Sequence, residues 1–216
     1  MLISILLPTR NRQEWLTRAV ASIIAQTHED WELIVLDNSD EPQQIPADPR
    51  IRCYRVPPEK LSRLYDTALR LAQGELCCFI GDDDTFPSQA LETAAANIGD
   101  ANWLVASTEI RNEDGFLIAV RGGTKESVAR TLGGEYWLGG AVYWRRSFSD
   151  LAGGFDEEFE GAADFDLFLR FIVREEPVVI PDVLYQYTDW AGTDSRQQAQ
   201  RQQWQSARIS QMIRNR

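Results

Sequence analysis

Through its first hundred residues the chain alternates continuous apolar runs with segments whose apolar residues recur at helical spacing, and that alternation leaves few folds open. "LISILL", "WELIVLD", "IRCYRV" and "ELCCFI" read as buried strands. Between them, Trp15, Leu16, Ala19, Val20, Ile23 and Ile24 share one helical face. Leu61, Leu64, Tyr65, Ala68, Leu69 and Ala72 mark a second helix closed by Gly74, and Pro87 with Ser88 opens a third that runs through Ala96. Strands that are apolar on both faces and alternate with helices predict an α/β fold, its mostly parallel sheet flanked by helices on both sides.

The second half is less regular. "WLVAST" and "FLIAV" read as strands separated by the turn "NEDG", "GGAVYW" as a Gly-led strand, and Phe165, Phe168, Leu169 and Ile172 place a helical face within residues 163 to 174. There is no internal repeat, low-complexity stretch or linker, and 216 residues suffice for one sizeable core. One Rossmann-like domain over residues 1–194 is expected, with a regular half to about residue 100 and a mixed half that completes a pocket. A basic helix is expected over 195–216, where five arginines occur without an acid.

A net charge of -11 argues against nucleic acid as a partner, because phosphate-backbone binding needs a basic face. Cys77 and Cys78 lie adjacent in an apolar run and Cys53 leaves the count odd, a pattern of reduced core thiols in a cytoplasmic protein. The start, "MLISILLPTRNR", is too short an apolar run for a membrane span and lacks a basic leader. His28, in "QTHEDW", reads as a surface residue at a helix end.

The chemistry collects at strand ends. In an open parallel sheet, ligands bind outside the carboxyl ends of the strands. "PTRNR" follows the first strand, "DNSD" the second and "GDDDTFP" the fourth, so three polar segments share one rim. Three adjacent carboxylates at Asp82, Asp83 and Asp84 repel one another unless a positive group sits among them. A divalent Mg²⁺ or Mn²⁺ held by one or two carboxylates, with phosphate oxygens and water completing its shell, meets that need. The triplet also suits a solvated turn, with Asp84 or Thr85 capping the helix that follows.

"ISILLPTRNR", "WELIVLDNSD", "LAQGELCCFIGDDDTFP" and "GGFDEEFEGAADFDLFLR" occur in the order and spacing of corresponding segments in family 2 glycosyltransferases of the GT-A fold, and the chain resembles that family from residue 3 to about residue 188. The resemblance implies an inverting enzyme that moves a sugar from a UDP- or dTDP-type donor to a hydroxyl acceptor, in bacterial polysaccharide or glycan assembly, with Mn²⁺ or Mg²⁺ as cofactor. It implies a donor site made by Pro8, Thr9, Arg10, Asp37, Asp82 and Asp83. The triplet resembles a DxD motif, which implies that Asp82 lies near the ribose and that Asp84, with Asp82, holds the metal. "FEGAADFDLFLR" resembles the segment carrying the catalytic base, which implies Asp164. Asp164 and Asp166 are two residues apart and cannot share a helix face, so only one can address the site.

Two positions depart from the family pattern. Asp66, preceded by Tyr65, stands where relatives carry Asn, which puts Arg63 or Lys60 forward as the positive group beside the donor. Trp190 stands about where many relatives carry a metal- or phosphate-binding His. In "EYWLGGAVYWRR", Trp137 is placed to stack on an acceptor sugar while Gly139 and Gly140 admit close backbone approach. A core Trp beside a Gly-rich bulge is the alternative. The resemblance implies a glycan or lipid-linked acceptor; the basic tail reads as a peripheral contact with anionic lipid at the inner membrane face, as a contact with a partner chain, or as a solvated helix face. Two rival functions remain: a sugar nucleotidyltransferase, although "PTRNR" lacks the Gly-rich basic loop of that class, and a non-catalytic nucleotide-sugar-binding module.

Overall fold

The computed structural model describes residues 1–159 and 162–193. The basic segment expected as a helix from residue 195 lies outside the described residues. The elements run β1 (Ile3–Thr9), α1 (Gln13–Ile24), β2 (Trp31–Asp37), β3 (Ile51–Arg55), α2 (Leu61–Leu71), β4 (Leu76–Phe79), α3 (Ala90–Asn97), β5 (Trp103–Asn112), β6 (Leu117–Gly122), α4 (Lys125–Leu132), β7 (Val142–Arg145), α5 (Arg146–Ala152), α6 (Ala163–Arg174) and β8 (Val178–Asp189). The sheet order is β3-β2-β1-β4-β7-β5-β6, with β8 paired to β5. β1 to β4 pair in parallel, β7 is antiparallel to both β4 and β5, and β8 runs parallel to β5. The mostly parallel mixed sheet expected from the apolar runs is the one observed.

Because successive side chains of a strand point to opposite faces, each buried strand feeds two cores. Ile5, Leu7, Leu33 and Val35 pack under Leu16, Val20 and Ile23 of α1 and Leu91 of α3. Leu6, Ile34 and Leu36 face the other way, against Leu64 and Ala68 of α2 and Phe168 and Phe171 of α6. Phe79, the last residue of β4, stacks on Phe168 at 6.0 Å between ring centroids. The strand that leads into the acidic triplet and the helix that carries Asp164 therefore share one aromatic core.

Three boundaries differ from the expectation. α2 ends at Leu71 with Ala72 as its cap, and Gly74 serves a different need. A Cβ there would stand 2.6 Å from Ser4 Oγ and 2.8 Å from the carbonyl of Leu2, so only glycine lets the chain pass the start of β1. α3 starts at Ala90 rather than Pro87, because the Pro87 carbonyl accepts the Ala90 N–H in a preceding turn. The glycines of "GGAVYW" lie outside β7. α4 and α5 escape the sequence reading, being eight and seven residues long with too few turns to show a period.

Candidate functional site

Parallel pairing brings the ends of β1, β2 and β4 to one rim, with Thr9 opposite Asp37 and Leu6 opposite Phe79. Side chains then join the three loops. Thr9 Oγ1 donates to Asp82 Oδ2 at 2.8 Å, while the backbone N–H of Asn11 donates to Ser39 Oγ at 2.8 Å. Asn11 holds φ of 56°, a left-handed conformation that Asn tolerates better than most residues.

All three carboxylates of the triplet are buried. Arg12 Nη1 lies 3.1 Å from Asp82 Oδ1 and 3.2 Å from Asp83 Oδ2, so one guanidinium bridges two acids. The Trp190 indole N–H donates to Asp83 Oδ2 at 2.9 Å, and its ring stacks on Trp15 at 4.9 Å. Trp190, at the position where relatives are expected to carry His, thus braces the acidic loop through a hydrogen bond. Asp84 turns the other way, accepting the Tyr185 hydroxyl at 2.6 Å and the Thr188 N–H at 2.8 Å, both from β8.

Burial dominates the electrostatics. It pushes the Asp82 carboxyl up to about 6 against the pull of Arg12, with Asp83 adding to the rise. Burial and then Asp83 push Asp84 well above the ordinary carboxylate range, more than Tyr185 and Thr188 draw it back. The charged forms of these acids are thus under-compensated by the one guanidinium, and an added cation would favour their ionisation. Among the described residues no three His, Cys, Asp or Glu side chains converge as a metal cage. Mg²⁺ or Mn²⁺, as hard ions that keep phosphate and water ligands, would take Asp82 and Asp84 only with Asp82 released from Arg12 or Thr9 and Asp84 from Tyr185 or Thr188.

The remaining donor-side expectations meet mixed geometry. Pro8 and Thr9 end β1 and are buried, whereas Arg10 is exposed and approaches Asp40 at 3.9 Å. Asp37 is 1% exposed and occupied: Oδ1 accepts the Ser39 N–H, and Oδ2 accepts the Gln43 N–H and Arg55 Nη1. Burial raises its proton affinity, but these donors outweigh it and hold the carboxyl below its ordinary range. The Ser39 bond makes an Asx turn at Asp37, and a ligand N–H reaching this carboxylate requires one donor to yield. Arg63 pairs with Glu59 and Glu157, and Asp66 with Arg70, so their charges are engaged near α2 itself.

On the acceptor side, α6 separates its two acids. Asp166 is buried and bonded to Arg170, whose guanidinium also donates to the carbonyls of Ala152 and Gly154. That carboxylate closes a structural knot. Asp164 is half-buried and receives the Tyr136 hydroxyl on Oδ2 at 2.5 Å and the Phe165 N–H on Oδ1 at 2.8 Å. Burial lifts its carboxyl above the ordinary value, and the two donors only partly reverse that.

Trp137 lies beside Tyr136, with the Arg130 guanidinium 3.8 Å from its ring centroid and its indole N–H on Glu135 at 3.1 Å. Arginine thus stacks on the ring expected to stack on sugar. The close approach admitted by Gly139 and Gly140 is also used by the protein: a Cβ at Gly139 would meet Thr108 at 2.5 Å, and one at Gly140 the Tyr185 ring at 2.5 Å. These glycines fit the loop to the sheet and to the tyrosine that holds Asp84. Arg12, Tyr136 and Tyr185 are site residues that the sequence reading did not single out. Arg12 was visible as a second cation in "PTRNR" and Tyr136 lies inside the segment "EYWLGGAVYWRR" expected on the acceptor side, whereas nothing beside Tyr185 sets it apart.

Known proteins resemble this chain in sequence and in fold. The glycosyl transferase family 2 model matches residues 4–146. A protein named for colanic acid biosynthesis, the glycosyl transferase WcaA of Escherichia coli K12, is 30% identical over 191 residues, covering 80% of this chain and 67% of its own length. An uncharacterized protein of Mycobacterium tuberculosis is 28% identical over 220 residues, covering 90% of this chain and 69% of its own. Among solved structures, Staphylococcus aureus TarS 1-349 in complex with UDP-GlcNAc superposes with a TM-score of 0.70 at 18% identity, over 90% of this chain. The same protein with UDP gives 0.68 at 19% identity, over 88%. The chain spans 60% and 61% of those two TarS chains, a likeness of fold. With the family model covering well over half of its length, the chain belongs to glycosyl transferase family 2.

Proposed function

We propose that the protein transfers a sugar from a nucleoside-diphosphate sugar of the UDP or dTDP type to a hydroxyl of a glycan or lipid-linked acceptor, with inversion at the anomeric carbon. The observation that carries this reading is the rim itself, where a buried, under-neutralised acid triplet and the raised carboxyl of Asp164 hang on one aromatic core. Thr9, Asp82 and Asp83 form the floor for the nucleotide and ribose, with Arg12 set between the acids. The loop that carries Tyr136, Trp137, Gly139 and Gly140 walls the acceptor side.

Asp164 takes the proton of the acceptor hydroxyl. The oxygen attacks the anomeric carbon from the face opposite the diphosphate, and the bond to the leaving oxygen breaks with its electron pair on that oxygen. A carboxylate whose proton affinity burial has raised is better matched to accepting the proton of a hydroxyl than an ordinary one. Mg²⁺ or Mn²⁺ held by Asp82 and Asp84 would supply charge stabilisation to the departing diphosphate. The nucleotides named in the TarS structures, UDP and UDP-GlcNAc, favour uridine as the first base to test.

The test incubates the protein with UDP-glucose, UDP-galactose and UDP-GlcNAc, Mn²⁺ and a panel of sugar acceptors, and follows nucleotide release and the anomeric configuration of the product by NMR. Transfer with an inverted product supports the reading. A retained configuration overturns the mechanism, saturable binding without turnover favours the non-catalytic module, and formation of a nucleotide sugar from sugar phosphate and nucleoside triphosphate favours the nucleotidyltransferase.

A further inference from the structure

Tyr136 makes a contact that the proposed reaction leaves unused. Its hydroxyl oxygen lies 2.5 Å from Asp164 Oδ2 and 3.1 Å from the carbonyl oxygen of Gly139. One O–H proton serves one acceptor at a time, and an ionised carboxylate is the stronger acceptor. Its ring is held edge-on against Phe165 at 5.6 Å, so the phenol can turn its O–H between the two acceptors without moving the ring. Burial, then Asp164, and to a smaller extent the phenols of Tyr65 on α2 and Tyr187 on β8 keep the Tyr136 hydroxyl protonated, while the Phe165 N–H donates to Asp164 Oδ1.

We propose that Tyr136 is the positioning residue for Asp164, a hydroxyl rotor that satisfies the carboxyl in both protonation states and ties it to the acceptor loop. This rests on the reading of Asp164 as the base. Before transfer, the Tyr136 O–H points at Asp164 Oδ2 and holds the ionised carboxylate in place. Once Asp164 has taken the acceptor's proton, its own O–H donates to the Tyr136 oxygen and the phenol O–H turns to the Gly139 carbonyl. No proton is gained or lost by Tyr136, and no donor is left buried without an acceptor. Gly139 belongs to the same loop as Trp137, so the protonation state of the base is felt where the acceptor is expected to lie.

The experiment follows the Asp164 side-chain carboxyl by ¹³C NMR in full-length protein labelled at aspartate, the resonance being assigned by its loss in Asp164→Asn. In Tyr136→Phe, the carboxyl loses its donor, and its titration is expected to move to higher pH than in wild type. With 3-fluorotyrosine at position 136, a near-isosteric replacement whose hydroxyl is the stronger donor, it is expected to move lower. Turnover of UDP-GlcNAc and UDP-glucose with Mn²⁺ should fall on the order of tenfold in kcat for Tyr136→Phe, the worth of a hydrogen bond to a charged group, with the donor KM unchanged. An Asp164 titration that stays in place in both variants overturns the proposal, even if Asp164→Asn is inactive and the base reading stands. Wild-type turnover by Asp164→Asn overturns the base reading, and with it the role given to Tyr136, whatever the titration shows.

Discussion

Tyr185 on β8 donates its hydroxyl to Asp84 Oδ2 at 2.6 Å and accepts the Gly81 N–H at 3.0 Å, so the last described strand clamps both ends of the turn that displays the acids. The Thr188 N–H adds a second bond to Asp84 at 2.8 Å. A sequence separation of 101 residues lies between the phenol and the carboxylate it holds. The site is therefore completed by the final part of the fold, although its acids arrive with β4.

The thermal response to metal follows from this clamp. Mn²⁺ and UDP together are expected to raise the melting temperature by more than the sum of either alone, because a ligand that binds only the folded state stabilises it and each raises the other's affinity where a cation joins a diphosphate to an acidic rim. In Asp84→Ala the cooperative part should vanish. Tyr185→Phe, which leaves the Thr188 N–H in place, should reduce it and lower the melting temperature of the unliganded protein. An Asp84→Ala variant that responds like wild type would remove Asp84 from the metal site.

The two acids of α6 are expected to give opposite phenotypes. Asp164→Asn keeps an oxygen for the Tyr136 hydroxyl but cannot take a proton, so transfer should fall by roughly a hundred- to ten-thousand-fold. Its folded proton affinity is raised, so the ionised form opposes folding at neutral pH and the amide should not lower the melting temperature. Asp166→Asn should instead weaken the Arg170 knot and cost about 3 kcal/mol of stability, with turnover per folded molecule retained. The pH dependence has a definite sign. The base must be ionised, burial raises its carboxyl, and transfer should therefore be lost on acidification at a higher pH than an ordinary carboxylate would give. Calorimetry of the folded variants and a pH–rate profile read both.

How much of this was legible follows from where each residue sits. The parallel half declared itself because its strands are apolar on both faces, and the triplet did because acids at the end of an apolar run have no packing role. Asp164 was reached through a resemblance and not through its charge. Asp166 is an equally good candidate by composition, and only the helix geometry with Arg170 separates them. Tyr136 and Tyr185 were not singled out because nothing local to a tyrosine says which carboxylate its hydroxyl will find. The ion pairs of Arg63 with Glu59 and Glu157 and of Asp66 with Arg70 were not declared by the sequence either, since a charged side chain finds its partner only in the folded chain. Gly139 and Gly140 signalled close approach correctly, but the approaching groups are Thr108 and Tyr185.

Glu32 gives a last prediction, on the side of the sheet away from the reaction. Its Oε1 accepts Ser4 Oγ and the Gln73 N–H at 2.5 Å and the Gly74 N–H at 3.2 Å, while Oε2 accepts Arg52 Nη2 at 2.5 Å. Arg52 donates in turn to the carbonyl of Leu71 at 2.8 Å. One buried carboxylate thus joins β1, β2, β3, the end of α2 and the turn into β4. Burial pushes its carboxyl up, but Ser4, the Gln73 N–H and Arg52 together outweigh burial and leave it below the ordinary value of 4.5. A folded value below the unfolded one means that the ionised network stabilises the protein above pH 4.5, and that this contribution is lost as the pH falls through the lower, folded value. Glu32→Gln should therefore cost about 2–4 kcal/mol at pH 7, where it breaks charge-assisted bonds in a dry setting, and progressively less below pH 4.5. Urea denaturation of both proteins from pH 7 downward measures the difference. A gap that stays constant with pH would assign the loss to packing around the amide and not to the charge of Glu32.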